Sequence, residues 1–193
     1  MREFIYFSKK ARTSGNWTDL MQAGRMDIVC HVIINSLFLS HKVREDAKLH
    51  LVFYGAPDPP KHLEMQAGLD SSLEISKKDI SGLIKRMLYK YKKGRKFEVW
   101  KGFFIEKKSL MKLIDELKDD GKEIYVLDSR GEDIRKAEIQ ENAVFLLGDH
   151  DGLDKHDLKR LKKENKLVSL GKRTYFASQS ITILNNELDR REV

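Results

Sequence analysis

Cysteine is almost missing from this chain: Cys30 is the only one among 193 residues. A disulfide framework and a Cys-rich zinc site are both excluded, and a reducing compartment fits. Proline is nearly as scarce. Pro57, Pro59 and Pro60 all fall in one APDPP turn, so nothing elsewhere forbids helices or central strands. No apolar run is long enough to span a bilayer; IVCHVIINSLFL (28–39) carries His31 and Asn35. The start, MREFIYFSKK, lacks the apolar core of a signal peptide. These absences lead us to expect a soluble, cytoplasmic protein. Also missing are G-x-G-x-x-G after a strand, G-x-x-x-x-G-K-[ST] and G-x-S-x-G, so dinucleotide, P-loop and hydrolase chemistry lack their working parts.

What is present begins with a core. Hydrophobic residues make up 40% of the chain, enough for a packed domain rather than a disordered chain. Charge is unevenly placed. Residues 1–100 hold 18 Lys+Arg against 11 Asp+Glu, whereas the remainder balance at 19 each, so the first half carries the whole net +7. The excess concentrates in YKYKKGRK (89–96) and SKKAR (8–12), near Phe7, Trp17, Tyr89 and Tyr91. Cations interleaved with aromatic rings suit a polyanion such as RNA.

Strand and helix patterns alternate. REFIYFS (2–8) reads as a strand, MDIVCHVIINSLFLS (26–40) as a buried helix, and KLHLVFYG (48–55) as a strand closed by the proline turn. Short extended pieces are expected at HLEMQAG and SLEIS. Ser76 is placed as the cap of a helix with the stripe Ile80, Leu83, Ile84, Met87 and Leu88, ended by Gly94. A second series opens at FEVWKGFFIE (97–106). Ser109 caps a helix with Leu110, Leu113, Ile114 and Leu117 on one face, and Gly121 follows it. EIYVLD (123–128), AVFLLGD (143–149) and KLVSLG (166–171) are short apolar runs of the buried parallel type, with DKHDLKRLKKE (154–164) as a helix between the last two. Such alternation predicts a single α/β domain, residues 1–193, around a parallel sheet.

In sheets of that kind ligands bind beyond the carboxyl ends of the strands. Those ends are Leu127-Asp128, Gly148-Asp149 and Leu170-Gly171; glycine admits close approach to the backbone. The cluster GDHDGLDKH could be read as a metal site, but a solvated turn with Asp154 as helix cap explains it better, and no metal is expected. His31 is expected to be a core histidine rather than a base.

The segment GDHDGL (148–153), followed by LVSLGKRTYFASQSITILNNELDR, resembles the SPOUT RNA methyltransferases, whose C-terminal half is tied in a trefoil knot. The N-terminal stretches REFIYFSKKARTSGNWTDLMQAGRMDIVCHVIINSLFLSH and REDAKLHLVFYGAPDPP are similar to the archaeal TrmY family, the tRNA pseudouridine N(1)-methyltransferases. The resemblance covers essentially the whole chain; GRMDI and the knot segment are its specific parts. It implies an α/β knot fold with the knot at about 123–193, a tRNA substrate, and S-adenosyl-L-methionine as methyl donor. The implied pocket comprises Leu127, Gly148, Leu170, Gly171, Tyr175, Ala177 and Ser178. Arg25 and Asp27 are the pair expected to act on the RNA: Arg25 binding a phosphate or a uracil carbonyl, Asp27 orienting it or taking the ring proton. An ion pair that merely locks the helix start is the competing reading. Lys9, Lys10, Arg12, Asn16 and Arg173 are expected at the phosphates. The resemblance also implies a homodimer, for which helix 26–40 and the Ile181/Leu184/Leu188 face could supply the apolar surface. Two rivals stay open: the same chemistry on small-subunit ribosomal RNA, and a non-catalytic RNA-binding knot.

Overall fold

The computed structural model describes residues 1–69, 79–149 and 155–191. Among them lie eight strands, β1 (Arg2–Ser8), β2 (Ala47–Phe53), β3 (Lys61–Gln66), β4 (Phe97–Trp100), β5 (Phe103–Glu106), β6 (Glu123–Asp133), β7 (Ala143–Gly148) and β8 (Lys166–Ser169). Five helices accompany them: α1 (Met26–Leu37), α2 (Ile80–Tyr89), α3 (Leu110–Asp119), α4 (Lys155–Glu164) and α5 (Ala177–Arg190). One sheet takes all eight strands in the order β4-β5-β3-β2-β1-β7-β6-β8.

The expected parallel sheet holds for five strands and needs correction for three. β2, β1, β7, β6 and β8 run parallel. β3, β5 and β4 continue the sheet antiparallel. The cause is the length of the connections. Parallel neighbours need a crossover of about a dozen residues or more. Only the proline turn at 54–60 joins β2 to β3, and only residues 101–102 join β4 to β5. Gly102, at φ 83, makes that last turn.

β1 sits inside the sheet, and all seven of its residues are buried. Phe4 and Tyr6 point into a core shared with α1, α2 and α5. Ile5 and Phe7 point the other way, into a core with α3 and Leu161 of α4. Period-two alternation in a strand apolar on both sides is what a sheet covered on both faces requires.

Helix α1 corrects one expectation. His31 is exposed, not core, because Asp27, His31 and Asn35 recur every fourth residue and line the helix's wet stripe. The other stripes, including Ile28, Val29, Val32 and Ile33, are buried. Ile181, Leu184 and Leu188 of α5 are buried in this same chain's core, so the face proposed for a partner is already covered. Ser109 caps α3 as expected, its hydroxyl accepting from Lys112 N at 3.3 Å. The expected cap Ser76, the SLEIS strand and the cap Asp154 lie outside the described residues.

β6 is longer than the sequence pattern indicated. After Leu127 its register shifts, and pairing with β8 resumes at Glu132 and Asp133. Gly131 makes this possible: a Cβ there would stand 2.5 Å from Val168 N. Arg191 then fastens the segment, its guanidinium donating to Ala137 O at 2.8 Å and Ile134 O at 2.5 Å.

Candidate active site

The carboxyl ends of the parallel strands lie side by side. Phe7 pairs with Gly148, Val126 with Leu146 and Leu127 with Val168, so the ends of β1, β7, β6 and β8 form one rim. Asp149, directly after β7, ties that rim to the loop after β1. Its Oδ2 accepts from Ser8 Oγ at 2.8 Å and from Lys9 N at 2.9 Å. Its own amide donates to Phe7 O at 2.9 Å. Ser8 Oγ in turn accepts from Ala11 N. From sequence Asp149 stands out only as a strand end, and its anchoring role is missed. The small acid closing β7 was the available signal.

The loop after β1 is packed against two glycines. A Cβ on Gly24 would lie 1.8 Å from Lys10 O, and one on Gly55 would lie 2.2 Å from the same atom. Gly24 also needs φ 77, a region open to glycine at little cost. Arg25 follows at φ 63 and ψ 42, a left-handed non-glycine residue at the start of α1. Such a conformation persists only where its surroundings hold it.

What holds Arg25 is Asp27. Nε donates to Oδ1 at 3.0 Å and Nη2 to Oδ2 at 2.9 Å, a two-pronged pair. The pair is only partly shielded, with side chains 35% and 27% exposed. The guanidinium beside it holds the Asp27 carboxyl below the usual carboxylate range. The hydrogen bond to Asp27 raises Arg25 correspondingly. Buried Tyr6 lies within electrostatic reach of both this pair and Asp149. Burial, reinforced by the Asp149 charge, pushes its phenol upward. Tyr6 thus stands in electrostatic reach of both the Ser8–Asp149 tie at the rim and the Arg25–Asp27 pair.

The residues expected around the donor fall at the same end. Leu127 and Leu170 are half-buried against one core cluster, which also holds Ala177. Ser178 is buried in the first turn of α5. Gly171 is exposed at φ 114, and no described atom lies within 4 Å of where its Cβ would stand. Its amide donates to Ser169 Oγ at 3.1 Å. Tyr175 and neighbouring Phe176 are exposed. Half-buried leucines beside open glycine backbone give apolar walls and accessible peptide groups, the lining that a flat, neutral adenine requires. His150 to Leu153 of GDHDGL lie outside the described residues. Among the residues expected at RNA, Lys9, Lys10, Asn16 and Arg173 are exposed and Arg12 is half-buried.

The fold as a whole is shared with the Archaeoglobus fulgidus Nep1 structure bound to S-adenosylhomocysteine: TM-score 0.63 over 99% of this chain and 98% of that one, at 14% identity. So distant a likeness defines the fold class, an α/β chain of the Nep1 type. The family model described as SAM-dependent RNA methyltransferase matches residues 1–193, and the chain belongs to that family. The tRNA (pseudouridine(54)-N(1))-methyltransferase of Methanococcoides burtonii is 37% identical over 98% of this chain and 96% of its own length. That of Methanococcus aeolicus is 37% identical over 100% of both chains. That of Methanocaldococcus jannaschii is 32% identical over 100% of this chain.

Proposed function

We propose that this chain methylates N1 of pseudouridine 54 in the T-loop of tRNA, with S-adenosyl-L-methionine as donor. The observation that carries the reading is the end-to-end match to relatives of that name at up to 37% identity. A sulfonium methyl is already activated, so the protein's part is placement of two partners and disposal of one proton. When bound, the donor would supply its methyl group to N1 and leave as S-adenosylhomocysteine, while the N1 proton would pass to Asp27 or to water. Leu127, Leu170 and Ala177 with the backbone of Gly148 and Gly171 form the donor's pocket, and Tyr175 and Ser178 complete its wall. Arg25 is the group that meets the RNA, through a phosphate or a uracil carbonyl. Asp27 holds the Arg25 fork and stands ionised beside it.

The C-terminal trefoil knot, spanning about 123–193, belongs to the same proposal. The segment after Leu127 crosses the end of β8, where Ile134 N donates to Ser169 O at 2.9 Å. Gly131 lies flat on the β8 backbone, and Arg191 fastens the segment from the far end of α5. These contacts support threading. A homodimer in the cytoplasm is also proposed; with the α5 face buried, exposed Tyr175 and Phe176 just before α5 are apolar groups left uncovered. No helix among the described residues is long and apolar enough to cross a membrane.

The test is transfer of a labelled methyl group to tRNA carrying either pseudouridine or uridine at position 54. Transfer to the pseudouridine form alone is expected, and equal labelling of both forms would end the proposal. An excess of small-subunit ribosomal RNA should not compete.

A further inference from the structure

The two basic concentrations of the sequence, SKKAR (8–12) and YKYKKGRK (89–96), are far apart along the chain, yet the loop that continues the first meets the helix that leads into the second. Lys85 Nζ, on α2, donates to Trp17 O at 2.7 Å and stands 5.4 Å from the Trp17 ring. A Cβ on Gly15 would meet the Tyr89 ring at 2.8 Å and Lys85 O at 3.0 Å. Trp17 is packed in the same core as Leu83, Met87 and Leu88 of α2. The loop after β1 therefore rests directly on the last turns of α2, and the basic turn begins where that helix ends.

Residues 85–96 carry seven cations, Lys85, Arg86, Lys90, Lys92, Lys93, Arg95 and Lys96, and no acid. Lys96 is taken by Glu64 at 2.6 Å and Arg86 by Asp79 at 2.9 Å. Lys90, Lys92, Lys93 and Arg95 are all exposed. None of those four is within ion-pair distance of a carboxylate among the described residues. Lys92 and Arg95 instead lie over the Phe97 ring, at 4.1 and 5.7 Å from its centroid. Packing on a ring fixes where a cation stands without consuming its charge. Tyr89 is 65% exposed, a large ring left in water beside them. Two donors in the adjoining loop, Arg12 Nε and Trp17 Nε1, are buried with no acceptor among the described residues.

We infer that Tyr89–Lys96 and the 9–17 loop form one continuous RNA-docking surface, whose distal half grips phosphates and stacks a base on Tyr89, away from the methyl-transfer rim. Cations held without carboxylates, an exposed ring and unfilled donors are the components of a phosphate track with a stacking platform. This rests on the tRNA reading above and adds to it a site that the Arg25–Asp27 pair does not supply.

The test uses the full-length protein and the tRNA substrate. Lys90→Gln, Lys92→Gln, Lys93→Gln and Arg95→Gln together should weaken tRNA binding at least about tenfold at ~150 mM salt and flatten the log Kd against log salt slope by about 3–4, since each released phosphate contact contributes about 0.7–0.9. The loss should appear in KM for tRNA, with the cofactor Kd by calorimetry unmoved. Tyr89→Ala should weaken binding about fivefold or more while leaving the salt slope alone, because stacking involves no counterion. The comparison variant neutralises exposed Lys155, Lys159 and Lys163 of α4. If it weakens binding as much as the turn variant, net charge alone is responsible and the inference fails. Unchanged affinity and slope in the turn variant also overturn it. Wild-type protein that binds tRNA but transfers no methyl group sinks the proposed function and leaves this surface standing; failure to bind any RNA sinks both.

Discussion

Arg25 and Asp27 grip each other through two hydrogen bonds of 3.0 and 2.9 Å while Arg25 sits in a left-handed backbone conformation at the start of α1. The pair alone could lock the helix start. Partial exposure and the electrostatic reach of Tyr6 in β1 argue for more than a lock. Arg25→Ala should lower kcat/KM for pseudouridine-containing tRNA by about 10- to 100-fold, the range of one or two charge-assisted hydrogen bonds. Asp27→Asn keeps the shape and removes the charge, so it should cost less unless Asp27 takes the N1 proton. Cofactor affinity, read by calorimetry, should stay constant in both. A simple helix lock would instead lower the melting temperature and leave kcat/KM unchanged.

A second prediction concerns acid. His50 Nδ1 faces His62 Nε2 at 2.9 Å inside the sheet. Their outer nitrogens face Glu3 (2.7 Å) and Glu106 (3.1 Å). Burial, reinforced by the neighbouring His50, pushes His62 down to about 4. Burial would raise Glu3 and Glu106, but hydrogen bonds from His50 and Lys122 to the first, and from His62 and Lys108 to the second, outweigh it and bring each to about 2. All three groups in the folded chain bind protons less readily than in the unfolded chain. Stability therefore falls as pH drops below about 6.5 toward 4 through His62, and below about 4.5 toward 2 through the carboxylates. Melting temperature should decline steadily over pH 6.5 to 4. His62→Gln should flatten that part of the curve; an unaltered slope would show that other groups carry it.

The register shift at which β6 rejoins β8 is testable by size and by tether. Gly131→Ala places a methyl group 2.5 Å from backbone, which no rotamer can relieve, so a loss of about 2 kcal/mol or more is expected in denaturant unfolding. Arg191→Ala leaves Ile134 O and Ala137 O without their donor, at a cost of about 1–3 kcal/mol. Hydrogen exchange should quicken at residues 131–137 in both variants. Unchanged exchange there would mean that the segment is held by other contacts.

Cys30 offers a simple check on packing. It is buried on α1, and burial, aided by the Asp27 charge, pushes its thiol to about 11. Since the thiolate is the reactive form, native protein should react with aromatic disulfide reagents far more slowly than unfolded protein. Equal rates would contradict the placement of α1.

Period and composition alone determined much of this chain. Alternation in REFIYFS, the stripe Leu110, Leu113, Ile114 and Leu117, and the glycines after the strands are local signals, so they could be read without coordinates. GRMDI and the stretch from Gly148 to Arg190 carried the resemblance to the family. Tertiary structure decided what depends on distant partners. Strand direction on the β3–β5–β4 side followed from how short the connections are. His31 faced water and the α5 leucines faced inward because the neighbouring element fixes which side of a helix is covered, however apolar the helix is all round. The Asp149–Ser8 tie, the His50–His62 contact and the meeting of Gly15 with Tyr89 join residues remote in sequence. Side chains of that kind acquire partners only when the sheet brings its strands together.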